Sequence, residues 1–146
     1  MKRIAILGST GSIGRSTLSV IESYPDRFQV ATLAAGNNAE LAFEQAVRWQ
    51  PRVLSLSREQ DAATLRDKLR KAGLSQIEVV HGSAGTVCVA THPEVDFVVS
   101  AIVGVSGLEA TYEAIIDAGL SFLKYANFLS IKICPIRLHR GRAGRY

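Results

Sequence analysis

Short apolar runs along this chain alternate with longer stretches in which apolar residues recur every three or four positions, which predicts strand and helix units in series. Ile4-Ala5-Ile6-Leu7 reads as a buried strand. Residues 12–24 then carry Ile13, Thr17, Val20 and Ile21 at helical spacing until Pro25-Asp26 closes the helix. Phe28–Ala34 predicts a second strand. Residues 38–50 predict a helix with Leu41, Ala42, Gln45, Ala46 and Trp49 on one face and Pro51 as its stop. Val53–Leu56 reads as a third strand, and residues 59–72 as a helix ended by Gly73. Residues 77–80 and 96–102 predict two further strands, separated by a short helix over residues 85–90. Residues 108–118 predict a last helix, capped by Gly119. Strands and helices alternating at these lengths imply right-handed βαβ crossovers. The expected fold class is α/β, a Rossmann-like, doubly wound, mostly parallel sheet over residues 1–119, followed by a tail over residues 120–146.

The junction between the first strand and the first helix carries the chemistry. It reads Gly8-Ser9-Thr10-Gly11-Ser12-Ile13-Gly14, a glycine-rich turn leading into a helix whose first amides have no partner within the helix. Such a turn is a site for a pyrophosphate. Gly8 ends the strand where the chain must turn, Gly11 removes a Cβ from the path of the phosphate, and Gly14 lets helix and sheet approach closely. Thr10 and Ser12 add hydroxyl donors, and the helix start contributes roughly half a positive charge. The spacing is G-x-x-G-x-x-G, not the commoner G-x-G-x-x-G. The same glycines also serve a plain strand-to-helix turn, and the strand-turn-helix context favours dinucleotide binding.

In a parallel sheet the ligand lies beyond the carboxyl ends of the strands, which selects three loops, residues 8–14, 35–38 and 100–107. The second distinguishes between nucleotides. Enzymes that use NAD usually place Asp or Glu at the end of the second strand to hold the ribose 2′-hydroxyl, whereas this end reads Ala34-Ala35-Gly36-Asn37-Asn38. No carboxylate is there to repel a 2′-phosphate, and Gly36 with two asparagine amides offers donors to it, so NADP(H) is favoured over NAD(H). Asn38 also suits the cap of the next helix. In the third loop, Gly104 and Gly107 either admit a nicotinamide ribose or serve the turn into the next helix.

Composition narrows the classes of function. The length of 146 residues suits one domain, and no apolar run approaches the roughly 18 residues that a membrane span needs. The apolar run after Met1-Lys2-Arg3 is too short for a secretory signal, so a cytoplasmic protein without a membrane partner is expected. The net charge of +4 would hint at nucleic acid if it were spread over the fold. It is not. All 13 acidic residues lie at or before Asp117, and residues 1–119 carry a net −2. Six of the 17 basic residues fall beyond that point, as befits a solvated tail rather than a nucleic-acid-binding arm. Cys88 and Cys134 are too far apart in sequence for a C-x-x-C pair, indicate neither a zinc site nor a disulfide framework, and read as buried or idle free thiols. His81, His92 and His139 stand without an H-x-x-x-H pattern or a carboxylate cluster, so no metal ligand is expected. No G-x-S-x-G elbow and no evident nucleophile-base pair is present. The sequence shows a cofactor site without a chemistry site, and no catalytic residue is assigned.

Three segments together resemble one family. Residues 6–14, residues 33–38, and Ala101-Ile102-Val103-Gly104 with Gly107-Leu108 are similar to the N-terminal NADPH-binding domain of 1-deoxy-D-xylulose 5-phosphate reductoisomerases, from the start to about Gly119. That resemblance implies an enzyme of isoprenoid biosynthesis, acting as a homodimer. It rearranges 1-deoxy-D-xylulose 5-phosphate and reduces the product with NADPH to 2-C-methyl-D-erythritol 4-phosphate, assisted by magnesium, manganese or cobalt. It also implies that Thr10, Gly11, Ser12 and Ile13 contact the cofactor diphosphate, and that Gly36, Asn37 and Asn38 contact the phosphate of the adenosine ribose. Asn37 departs from the lysine often found there, which implies weaker NADPH affinity. After Gly119 the family continues into Ala-Asn-Lys-Glu, whereas this chain reads Lys124-Tyr125-Ala126-Asn127-Phe128-Leu129-Ser130; the match is out of step, and no role passes to Asn127. The family's metal carboxylates and substrate phosphate site belong to later domains. The basic, acid-free residues 131–146 are expected not to be family sequence, as a shifted or truncated reading frame would produce. The expectation is a cofactor-binding part that is inactive alone. The alternatives are a stand-alone NADPH-binding or regulatory module, and a non-functional truncated product that exposes apolar surface and aggregates.

Overall fold

Parallel pairing orders the whole sheet of this computed structural model, which describes residues 1–102, 112 and 123–125. In chain order the elements are β1 (Lys2–Leu7), α1 (Ser12–Ser23), β2 (Phe28–Ala34), α2 (Ala39–Trp49) and β3 (Val53–Leu56). They continue with α3 (Glu59–Lys71), β4 (Glu78–His81), α4 (Gly82–Ala90), β5 (Phe97–Ser100) and β6 (Leu123–Tyr125). The strands lie side by side in the order β4-β3-β2-β1-β5-β6. In the centre Leu7 pairs with both Ala34 and Ser100, so β1, β2 and β5 end level with one another.

Side chains alternate between the faces of each strand and divide the core in two. On one face Ile4, Ile6, Leu33, Leu54 and Leu56 pack under α1, α2 and α3. On the other, Ala5, Leu7, Ala34, Val53 and Val98 pack under α4. Helices on both faces make the sheet doubly wound, as the alternating pattern predicts. Burying each Leu or Ile side chain contributes roughly 1.5–3 kcal/mol, and the apolar run Ile4–Leu7 of β1 and the mostly apolar, buried Val30–Ala34 of β2 are what strands covered on both sides require.

The differences from the sequence reading have local causes. Helix α1 buries Gly14, Leu18 and Ile21, while Val20, expected on the inner face, is 52% exposed. Gly14 takes the inward position in the first turn and sets the phase that turns residue 20 outward. Gly82, with φ of 72°, turns the chain out of β4 straight into α4, so that helix begins three residues before the expected one. Strand β5 ends at Ser100, short of the expected residue 102. The expected helix over residues 108–118 and its Gly119 cap lie outside the described residues, Tyr112 apart. Strand β6 falls in the segment read as tail and pairs with β5 through Val98–Leu123, Val99–Lys124 and Ser100–Tyr125.

Candidate functional site

Because all strands run the same way, their carboxyl ends share one edge. There Gly8, at φ of 84°, breaks β1. Its amide and that of Ser9 both donate to the Ala34 carbonyl, at 2.7 and 2.9 Å, which fastens the turn to the end of β2. The Gly11 amide donates to the Gly8 carbonyl at 3.1 Å and closes the turn. Gly11 is also the N-cap of α1, and no side chain caps that helix, so its first amides and its partial positive charge face outward. Gly14 is buried beneath the turn. A Cβ there would lie 2.2 Å from the Gly8 carbonyl oxygen, so only glycine lets α1 sit this close.

A buried pair of side chains fixes the turn from below. The Ser9 hydroxyl donates to Gln45 Oε1 at 2.7 Å, and Gln45 Nε2 donates back to the Ser9 carbonyl at 2.9 Å. Gln45 stands on the apolar face of α2, where an amide side chain needs such a partner.

Above this framework lies a cleft of about 450 Å³. One wall is Gly8, Thr10 and Gly11, and another is Ala34, Ala35 and Gly36, with Ala101 and Ile102 following β5. The structure therefore brings Gly8, Thr10, Gly11 and Gly36 together. Asn37 and Asn38 are exposed residues of the loop after β2, Ser12 is the exposed first residue of α1, and Ile13 is half-buried; with the buried Gly14, these five are not among the residues that line the cleft. The Asn38 Oδ1 accepts the Leu41 amide at 3.0 Å, so this residue does cap α2, and its side-chain nitrogen is still a donor.

Sequence reasoning missed Ser57, Gly82, Ser83 and Thr86, which complete the cleft. The signal was available. Ser57 follows β3 and Gly82 follows β4, and the rule that selects the carboxyl ends of β1, β2 and β5 applies equally to them. A smaller depression of about 250 Å³ between α1 and α2 has Arg15 and Trp49 in its wall and lies away from the glycine turn.

Among the described residues no ionisable side chain lines the cleft. Its described walls offer hydroxyls, backbone amides and a helix start, groups suited to an anion. The groups with perturbed titration lie elsewhere. The Arg3 guanidinium and backbone amide hold the Asp96 carboxyl below its ordinary range, where β1 and β5 begin. Burial, with a smaller contribution from Glu78, pushes the Cys88 thiol up, away from the reactive thiolate. Among the described residues no three His, Cys, Asp or Glu side chains gather as a metal site. Nor is any helix among them long and apolar enough to cross a membrane.

Residues 4–123 match the family model described as 1-deoxy-D-xylulose 5-phosphate reductoisomerase. A relative of that name from Glaesserella parasuis is 47% identical over 92% of this chain and 33% of its own length. Another from Anaeromyxobacter is 49% identical over 82% of this chain and 29% of its own length. The chain thus spans about a third of the length of the curated relatives it matches. Among solved structures, DOX-P reductoisomerase in complex with NADPH, fosmidomycin and magnesium superposes with a TM-score of 0.79 at 34% identity, over 87% of this chain and 30% of that one. The Zymomonas mobilis 1-deoxy-D-xylulose 5-phosphate reductoisomerase in complex with NADPH superposes with a TM-score of 0.70 at 35% identity, over 78% of this chain and 29% of that one. With 120 matched residues out of 146 and the same arrangement of strands and helices, this chain belongs to the 1-deoxy-D-xylulose 5-phosphate reductoisomerase family.

Proposed function

We propose that this chain holds NADPH across the carboxyl edge of its sheet, as the cofactor-binding part of a 1-deoxy-D-xylulose 5-phosphate reductoisomerase. The observation that carries the reading is a single cleft that joins an uncapped glycine-turn helix start to a β2 end without a carboxylate. The residues present fit the group. Gly11 and Gly36 leave the walls free of Cβ atoms, and a Cβ at residue 36 would meet nothing within 4 Å. Thr10, Gly11, Ser12 and Ile13 would hold the diphosphate, and Gly36, Asn37 and Asn38 the ribose phosphate; Gly8 and Gly14 shape the turn. When bound, NADPH supplies a hydride. Its acceptor in the full reaction derives from 1-deoxy-D-xylulose 5-phosphate, and dimerisation belongs to the same proposal. No described residue is assigned to a divalent metal, and no described residue of the cleft wall is an acid or a base. The chain alone is therefore expected to bind NADPH without turnover.

Thermal unfolding with NADPH, and with NADH as the control, tests this. A ligand at about 100 times its dissociation constant adds roughly 2.7 kcal/mol to folded-state stability. NADPH should raise the midpoint more than NADH. A cooperative transition that neither nucleotide moves would refute the reading. NADPH oxidation by this chain with 1-deoxy-D-xylulose 5-phosphate would refute the expected inactivity.

A further inference from the structure

We infer that Arg58 is the cation that recognises the cofactor 2′-phosphate and so sets the preference for NADPH over NADH, an inference that rests on the reading of the cleft given above. The loop after β2 is neutral, being Gly36, Asn37 and Asn38, and the Asn38 Oδ1 is committed to the Leu41 amide. Neutral donors form bonds roughly half as strong as charged ones to a phosphate. The loop thus lacks a cation, and the junction between β3 and α3 supplies one.

The Ser57 amide donates to the Gly36 carbonyl at 3.1 Å, which ties the end of β3 to the β2 loop. Arg58 is the next residue, in extended backbone with φ of −116° and ψ of 140°. Side chains alternate along such backbone. Ser57 lines the cleft, whereas Leu54 and Leu56 belong to the cluster under α1, α2 and α3. Arg58 follows them to that side, where its Nε donates to Asp61 in the first turn of α3 at 2.7 Å. Leu33 of β2 and Ala35, just past its end, belong to the same cluster, and α2 begins after Asn38. Arg66 and Lys68, further along α3, are engaged with the Val79 carbonyl and with Glu40.

The Arg58 side chain is 62% exposed, and its pair with Asp61 does not hold it back. The Asp61 side chain is 19% exposed, but with the guanidinium in solvent the pair is worth only roughly fivefold as an equilibrium factor, whereas a charged hydrogen bond to phosphate is worth roughly tenfold or more. Exchange of Asp61 for a phosphate dianion is therefore favourable.

The test is fluorescence titration of NADPH and NADH into the wild-type chain, Arg58→Gln, Asp61→Asn and Arg70→Gln, the last removing a cation that pairs with Asp67 at the far end of α3. Unfolding midpoints without nucleotide verify that each variant folds. Arg58→Gln should weaken NADPH about tenfold and leave NADH unchanged. Asp61→Asn should tighten NADPH alone, and Arg70→Gln should change neither. Equal loss of both nucleotides in Arg58→Gln, or no loss of NADPH, would overturn the inference while leaving the cleft as the cofactor site. A folded wild-type chain that binds neither nucleotide would overturn the reading of the cleft, and this inference with it.

Discussion

Replacing Gly14 with alanine should destabilise the protein even though helix propensity favours the change. The new Cβ would lie 2.2 Å from the Gly8 carbonyl oxygen, 2.6 Å from Ser9 Cα and 2.8 Å from the Ser9 carbonyl carbon. All three are backbone atoms, and hydrogen bonds from the Gly8 and Ser9 amides to Ala34 hold them in place. Relief has to come from α1, whose first turn must move outward by roughly 0.8 Å or more before the nearest contact becomes tolerable. That shift pulls Leu18 and Ile21 away from the cluster they share with Ile6 and Leu33. Overpacking of this kind costs about 1–3 kcal/mol, and rigid partners place it near the upper end. The gain of alanine over glycine in a helix returns about 1 kcal/mol, which leaves a net loss of about 2 kcal/mol. For a chain of this size that lowers the unfolding midpoint by roughly 6–8 °C. Thermal unfolding followed by far-ultraviolet circular dichroism measures it. A midpoint equal to or above that of the wild type would refute the account of why residue 14 is glycine.

Gly36→Ala should separate binding from stability. Its Cβ meets no atom within 4 Å, so the midpoint should hold or rise by up to about 1 kcal/mol equivalent, while the methyl group on the cleft wall weakens NADPH about tenfold. Unchanged NADPH affinity would count against that wall. Gln45→Leu leaves the buried Ser9 hydroxyl and carbonyl unpaired and should cost about 2 kcal/mol in denaturant unfolding; a variant as stable as the wild type would show that the pair contributes nothing. Asp96→Asn tests the ion pair at the opposite edge of the sheet. Arg3 depresses the Asp96 pKa, so the carboxylate stabilises the fold above the unfolded value near about 4, and that contribution is lost as pH falls through the lower native value. The variant should be less stable than the wild type at neutral pH and equal to it in strong acid. A gap that persists in acid would assign the effect to packing.

The bounds of β2 and β3 were legible in the sequence to the residue, because each is a mostly apolar run set off by residues that break a strand. The phase of α1 was not. Gly14 was read as part of the turn, whereas in the structure it is also the first inward position of the helix, and counting from it places Val20 outside. The cleft was legible on the walls that the glycines mark. Ser57 and Gly82 fall under the same strand-end rule, whereas Thr86 lies inside α4 and reaches the cleft only through the packing of that helix, which leaves no local signature. Gln45 was placed on the correct face of α2, but its partner stands 36 residues away, and spacing along the chain holds no record of that contact.

The Ser9–Gln45 pair bears on how quickly and how tightly a nucleotide is captured. A phosphate-binding turn that had to fold around its ligand would lose conformational entropy on every encounter. Here α2 already holds the turn through two buried hydrogen bonds, and the same helix starts at the ribose end of the cleft under the Asn38 cap. Under the proposed function the diphosphate and ribose contacts would belong to one preorganised body, and the glycine turn would not have to fold around its ligand. Substitutions on the buried face of α2, remote from any ligand atom, should alter affinity by loosening that body, and they should do so through the dissociation rate.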